Sequence, residues 1–221
     1  MKTLIIGFSG HIGSGKNYIA EELFIPLLIN KLIEKTNYNI IPYYYSFGDQ
    51  VKVELLCRMS YEEIDSKNGY NEFFINKNTD VRKKLQEYAT ENGRDKYHKN
   101  IWVRALDIWI NIQTERLSKL KQKNICQLFI ITDVRFKNEL EYIESNDGIV
   151  IRIIAPNRSI NKIIKETNND NNIIKEIVTH QSENELDFHE FKYIIDNDDN
   201  IKLTEKINKL CDEIIIGLTE K

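Results

Sequence analysis

Thr3-Leu4-Ile5-Ile6-Gly7-Phe8-Ser9-Gly10-His11-Ile12-Gly13-Ser14-Gly15-Lys16 is the stretch on which the fold turns. Thr3 to Phe8 is a nearly continuous apolar run that stops at glycines, the pattern of a parallel strand buried on both faces. Downstream, Ile19, Ala20, Leu23, Phe24, Leu27, Leu28 and Leu32 recur at helical spacing from about Asn17 to Glu34, with Pro26 placed to kink that helix. Between them, Gly10 to Lys16 fits GxxxxGK in the strand-loop-helix context the motif needs. Glycines let backbone N–H groups turn inward around phosphate oxygens, the helix start offers its positive end, and Lys16 neutralises β and γ groups. Gly10, His11, Ile12, Gly13, Ser14, Gly15, Lys16, Asn17 and Tyr18 are therefore the expected triphosphate contacts. A tight turn carrying a solvated lysine is the alternative. Asn17 stands where Ser or Thr would offer a hydroxyl to magnesium; its amide oxygen is a weaker ligand.

A second buried strand, Gln127 to Thr132, ends in Asp133, and strand carboxyl ends are where α/β sheets bind ligands. Asp133 is a candidate magnesium partner, acting through water, and also fits the N-cap of a helix over Val134 to Ser145. Arg135 is placed to fork onto a phosphate, with a surface salt bridge as its alternative. Asn39 to Ser46, Ile149 to Ile154 and Tyr193 to Ile195 complete the strands. Helices are expected over Gln50 to Met59, Asp80 to Thr90, Ile101 to Leu120 and Ile201 to Leu218, with a polar hinge around Gly93 and Lys96. The polar stretch between Asn157 and Glu185 reads as a mobile excursion. Alternating strands and helices give a three-layer α/β domain with a mostly parallel sheet.

The 221 residues suffice for one sizeable α/β core, and one domain over 1–221 is expected. A net charge of -3 lacks the positive field that non-specific nucleic-acid or membrane binding needs, so any bound anion must be held locally. Cys57, Cys126 and Cys211 have neither disulfide nor zinc spacing, and no apolar run approaches a membrane span. A soluble cytoplasmic protein is the expectation.

In order along the chain, Phe8-Ser9-Gly10 through Ser14-Gly15-Lys16, Tyr45-Ser46-Phe47-Gly48-Asp49-Gln50-Val51-Lys52, Leu85-Gln86 through Gly93-Arg94 to Trp102-Val103, and Thr132-Asp133-Val134-Arg135-Phe136-Lys137-Asn138-Glu139 form a set of motifs. Thr179-His180-Gln181-Ser182-Glu183 and Asp196-Asn197-Asp198 complete it. Together they resemble the deoxynucleoside monophosphate kinases of large DNA viruses and tailed phages, relatives of phosphomevalonate kinases within the P-loop kinases. The resemblance spans nearly the whole chain and is weakest between Asn157 and Asn172. In that family the residue after the loop lysine, when not Ser or Thr, is usually an acid, so Asn17 departs from both patterns.

The likeness implies a P-loop kinase fold with a small lid over roughly 157–185, ATP and Mg2+ on the phosphate loop, small-molecule nucleotides as partners, and a homodimer. Ser46, Asp49 and Lys52 would line the acceptor side, with Arg94 and Arg135 near the acceptor phosphate. Ser46 to Asp49 fits a helix N-cap equally well. Arg158 is expected to act from the lid in preference to Arg152, which lies within a strand, and Asn197 and Asp198 would reach the adenine edge or form a turn. Ser182 with Glu185 reads as a capping box, and Trp102 and Trp109 as core. Catalysis would rest on Lys16, Asp133, Arg135 and Arg158. Kinases for phosphomevalonate or dephospho-coenzyme A, and a nucleotide-binding module without turnover, are the rival readings.

Overall fold

A computed structural model describes residues 1–59, 65–75, 77–120, 122–198 and 202–219. Five strands, β1 (Lys2–Ser9), β2 (Asn39–Tyr45), β3 (Ile125–Val134), β4 (Ile149–Ile154) and β5 (Tyr193–Asp196), form one sheet. Its order is β2-β3-β1-β4-β5 and every pairing is parallel. The most apolar strands lie inside: β1 is buried from Leu4 onward, and β3 is buried from Ile125 to Thr132.

Successive side chains of β1 point to opposite faces and enter two cores. Leu4, Ile6 and Phe8 pack with Phe24, Leu28, Ile207 and Cys211. These come from the segment containing α1 (Lys16–Tyr18) and α2 (Ile25–Lys35), and from the closing helix described below. Ile5, Phe129 and Ile131 face the other way, against Val103, Leu106, Leu140 and Ile143. Helices on both faces of the sheet give the three layers the sequence leads one to expect.

Pro26 is accommodated by a wider winding, not by a simple kink. Residues Ile19–Phe24 form π-helical turns, and the N–H of Ile25 reaches back five residues to Ala20. A proline has no N–H to give and its ring crowds the carbonyl four residues earlier, so a widened turn ahead of it relieves both. After β2 come α3 (Asp49–Arg58), α4 (Ser66–Tyr70) and α5 (Thr79–Ala89). The expected hinge around Gly93 is instead another wide helical stretch, Thr90–Asp95, with buried Gly93 against the indole of Trp102.

Next come α6 (Ile101–Ser118) and, beyond β3, α7 (Lys137–Ser145), which starts three residues later than expected because Val134 completes the strand. The stretch expected to be an excursion is helical: α8 (Pro156–Glu166), α9 (Asn171–Thr179) and the short α10 (Gln181–Asn184). Polar composition misled here because α8 and α9 are strongly amphipathic, with their isoleucines on one face. The chain closes with α11 (Leu203–Thr219); the expected start of that helix at Ile201 lies outside the described residues. No described helix is long and apolar enough to cross a membrane.

Candidate active site

The connection leaving β1 leads to β2 on one side of the sheet, whereas that leaving β3 leads to β4 on the other. The crevice between the carboxyl ends of β1 and β3 is thus the topological switch point, where open α/β sheets bind ligands. Gly10–Lys16 follows β1 into this crevice, and Asp133 and Arg135 arrive from the end of β3.

The loop has the conformation its glycines allow. Gly13 and Gly15 take positive φ, at 79° and 80°. Gly15 caps α1 with left-handed geometry, and the first helical bond is donated by Ile19 to its carbonyl at 2.9 Å. The amides of Lys16, Asn17 and Tyr18 precede that bond, so no helical carbonyl stands behind them to accept. Ser14 is buried with its hydroxyl lacking a hydrogen-bond partner, a second polar group available to an anion in this loop.

Lys16 is buried, its Nζ 3.4 Å from Asp133 Oδ1. Loss of hydration, reinforced by the Arg135 guanidinium, lowers the Lys16 pKa. Burial works against the charge on Asp133, but Arg135 and Lys16 outweigh it and hold that carboxyl well below the usual range. Arg135 Nε donates to the same oxygen at 2.8 Å, and its Nη1 donates to Glu183 Oε1. The other oxygen of Glu183 accepts the Ile12 N–H of the phosphate loop at 2.7 Å. Lys16, Asp133, Arg135 and Glu183 therefore form one alternating chain of charge. Arg135 is half-buried between Asp133 and Glu183, and Asp133 does not cap α7, whose N-cap is Phe136.

Beside this chain opens a cavity of about 190 Å³. Its cationic lining is Lys52, Lys77, Arg82, Lys83, Arg94 and Arg135. Phe47, Val51, Leu85, Ala89 and Trp102 give it an apolar wall, and Ile173 and Ile177 of α9 contribute to the lining. A pocket of this kind suits a ligand with a flat apolar body and an anionic end. Lys77 is pushed down to about 8, chiefly by burial and then by Lys52.

Arg94 is held rigidly. Its guanidinium stacks 3.5 Å above the Phe136 ring and donates to Glu139 at 2.5 Å and to Asn138 at 3.3 Å. Glu139 also accepts the amides of Arg135 and Phe136, so one buried carboxylate sets both arginines. Burial pushes Glu139 up to about 7 against the pull of Arg94.

Among the expected acceptor-side residues, Lys52, Arg94 and Arg135 line the cavity, whereas Ser46 and Asp49 stand behind Lys52. Asp49 accepts from Ser46 N, from Ser46 Oγ at 2.7 Å and from Lys52 Nζ at 2.6 Å. Neither Ser46 nor Asp49 is the N-cap of α3, which is Gly48.

Arg158 is exposed on the first turn of α8 and is not among the residues lining the cavity. Arg152, set aside in the sequence, is nearer the loop: it donates to Ser9 Oγ at 2.9 Å and to Asp187 at 2.6 Å, and lies 3.0 Å from His11 Nε2. Tyr18 and Asn17 are exposed beyond the loop. Asn197 is buried and donates to Ser14 O at 2.8 Å, bracing the loop from outside, and Asp198 accepts the amides that open α8.

Two structural readings change. The cap of α10 is His180, whose Nδ1 accepts from Ser182 N, so Ser182 is not the cap. Trp102 is buried and bonded to Ala89 O, but Trp109 is 43% exposed and donates to Gln50, so only the first is core. The sequence reading assigned no role to Glu183, Glu139 or Lys77. Lys77 lies near Arg82 and Lys83, a clustering of cations that could have flagged it; Glu139 and Glu183 close two of the quoted motifs, and Glu139 stands at the third position of α7, where an acid reaches back to the helix start.

No family model and no curated protein sequence matches the chain. Several solved structures overlay nearly its full length. TT1252 from Thermus thermophilus aligns with a TM-score of 0.45 and 14% identity, covering 99% of each chain. Dephospho-CoA kinase from Campylobacter jejuni gives 0.41 and 16%, covering 97% of this chain and 98% of its own. Shikimate kinase from Acinetobacter baumannii, in complex with shikimate, gives 0.39 and 11%, covering 99% and 95%. At these TM-scores the fold rests on the chain's own sheet order, and the overlays say nothing of activity.

Proposed function

We propose that the chain is a P-loop kinase that transfers the γ-phosphoryl group of ATP to a deoxynucleoside monophosphate. The observation that carries this reading is the meeting of two anion sites: a phosphate loop and a cation-lined, half-apolar cavity join at Asp133 and Arg135. A phosphate loop alone would suit any nucleotide binder, whereas a second cavity beside it that pairs an apolar wall with cations suits an acceptor.

Lys16 and the amides opening α1 would gather charge on the β and γ oxygens. Arg94 and Arg135 would align the acceptor phosphate, whose anionic oxygen attacks the γ-phosphorus in line and needs no strong base. ADP leaves, and no covalent enzyme intermediate forms.

Mg2+, when bound, would neutralise charge on the β- and γ-phosphate oxygens of ATP. Among the described residues no group of three acidic, His or Cys side chains could cage a metal. Asp133 is the protein group that would hold it, through a metal-bound water, while Lys16 and Arg135 engage its Oδ1. Asn17 follows Lys16 on the same turn and could supply a second contact.

The test is ADP release measured with ATP, Mg2+ and a panel of acceptors: the four deoxynucleoside monophosphates, phosphomevalonate and dephospho-coenzyme A. Turnover with at least one deoxynucleoside monophosphate is expected. Phosphorylation of another member alone would replace the acceptor, and ATP binding without any turnover would make the chain a binding module.

A further inference from the structure

We propose that Glu183 is a positioning residue that holds the place of a phosphate on Arg135, and that an arriving phosphate dianion displaces it from the guanidinium while it stays anchored to the Ile12 amide. The assignment rests on the reading above in one respect, that the cavity's ligand carries a phosphate.

Three observations converge on it. Glu183 is buried, with 7% of its side chain exposed, and lines the cavity. Its two oxygens do different work, Oε2 accepting the Ile12 N–H and Oε1 engaging Arg135 Nη1. Arg135 is already fixed on its other edge, where Nε donates to Asp133 Oδ1 at 2.8 Å. The Nη edge turned to Glu183 is therefore the part of this arginine that can be exchanged.

Charge accounts for the rest. Lys16, Asp133, Arg135 and Glu183 sum to zero, so Arg135 presents little net attraction to an anion while the chain is closed. A phosphate offers the guanidinium two oxygens and nearly two charges in place of one carboxylate oxygen, and so outcompetes Glu183. The released carboxylate remains tied to the phosphate loop through Ile12. Arg135 thus turns to the reacting groups only when an acceptor is present, and the carboxylate that lets it go belongs to α10, outside the sheet.

Glu183→Gln isolates the charge. Glutamine keeps the size of the side chain and an oxygen for Ile12 N–H, yet gives Arg135 no anion. Inorganic phosphate, titrated by calorimetry without ATP, should bind the Glu183→Gln protein about tenfold tighter than the parent. Glu183→Asp, which retains the charge, should stay near parent affinity, and in an Arg135→Ala background the gain should vanish. Equal or weaker phosphate binding by a folded Glu183→Gln protein overturns the proposal.

A measurement on the unaltered chain covers the case of a variant that does not fold. Phosphate titration followed by NMR should shift the Arg135 side-chain N–H signals and the Glu183 carboxyl carbon together, with the Ile12 amide moving less. Shifts confined to Arg94 would equally sink it. Neither experiment uses turnover, so a failed acceptor panel would remove the kinase reading and leave this result standing.

Discussion

Gly15→Ala should damage both the stability and the ATP affinity of the chain, and the size of the effect can be worked from the loop. Gly15 sits at φ 80° and ψ 17°, and an alanine there costs about 1–2 kcal/mol in the left-handed region. Its Cβ would lie 2.5 Å from Asn197 Nδ2. That amide is buried and donates to Ser14 O at 2.8 Å, so moving it aside strands a buried donor and acceptor at about 1–3 kcal/mol. The sum is roughly 2–5 kcal/mol, or a Tm lowered by roughly 4–20 °C for a chain of this size. Urea unfolding of the variant, of Asn197→Ala and of the double variant measures it. Because alanine at 197 removes the obstructing amide, the double variant should be more stable than the sum of the singles by about 1 kcal/mol. A Gly15→Ala protein within about 0.5 kcal/mol of the parent, with unchanged ATP affinity by calorimetry, would refute the reasoning.

Lys16→Ala should lower turnover by more than about a hundredfold while circular dichroism shows a folded protein, since Arg135 continues to pair with Asp133. Arg94→Met should cost about 1–3 kcal/mol in urea unfolding near neutral pH and more as the pH rises, because Glu139, already pushed up to about 7, loses its cation and takes up a proton, and Arg94→Met with Glu139→Gln should recover part of it. Phosphate binding should weaken as pH rises through about 8: Lys77 is depressed to about 8 in the free protein, and a bound anion favours its charged form. Calorimetry near that pH, in two buffers of different ionisation enthalpy, should report proton uptake on binding, and Lys77→Met should remove it. Trp102→Ala should destabilise by about 3–5 kcal/mol and Trp109→Ala by far less, as the first is 2% exposed and the second 43%.

The central strands and the phosphate loop were legible because each is written in a few adjacent residues. An apolar run with glycines after it specifies β1 and Gly10–Lys16 whatever the rest of the chain does. The run into Asp133 specifies β3 in the same way. Boundaries slipped where tertiary contacts decide. Thr90–Asp95 looks like a hinge because its threonine, asparagine, glycine and aspartate are poor helix formers, yet packing of Gly93 under Trp102 keeps it wound. Residues 156–184 look irregular by composition, but isoleucines spaced at a helical period outweigh the asparagines around them.

The site was half legible for the same reason. Lys16, Asp133 and Arg135 announce themselves through motifs at strand ends. The preference for Arg158 over Arg152 followed the idea that an arginine within a strand faces a core. Position 152 lies near the carboxyl end of β4, beside Ser9, where the side chain meets the loop. Glu183 matters through Ile12 and Arg135, and Glu139 through Arg94 as well as the nearby amides of Arg135 and Phe136; no short window contains both ends of the long-range contacts.

The position of β1 at the middle of the sheet has a consequence for how the molecule is made. Its partners β3 and β4 belong to the second half of the chain. At about 5–20 residues per second, the roughly 115 residues between Ser9 and Ile125 take on the order of 6–25 s to emerge during translation. For that interval a run of apolar, β-prone residues waits in the nascent polypeptide without a neighbour to zip against. A strand made well before both of its partners is among the last to find its place, which makes the wait for β3 the moment when this chain most needs shielding from its own kind.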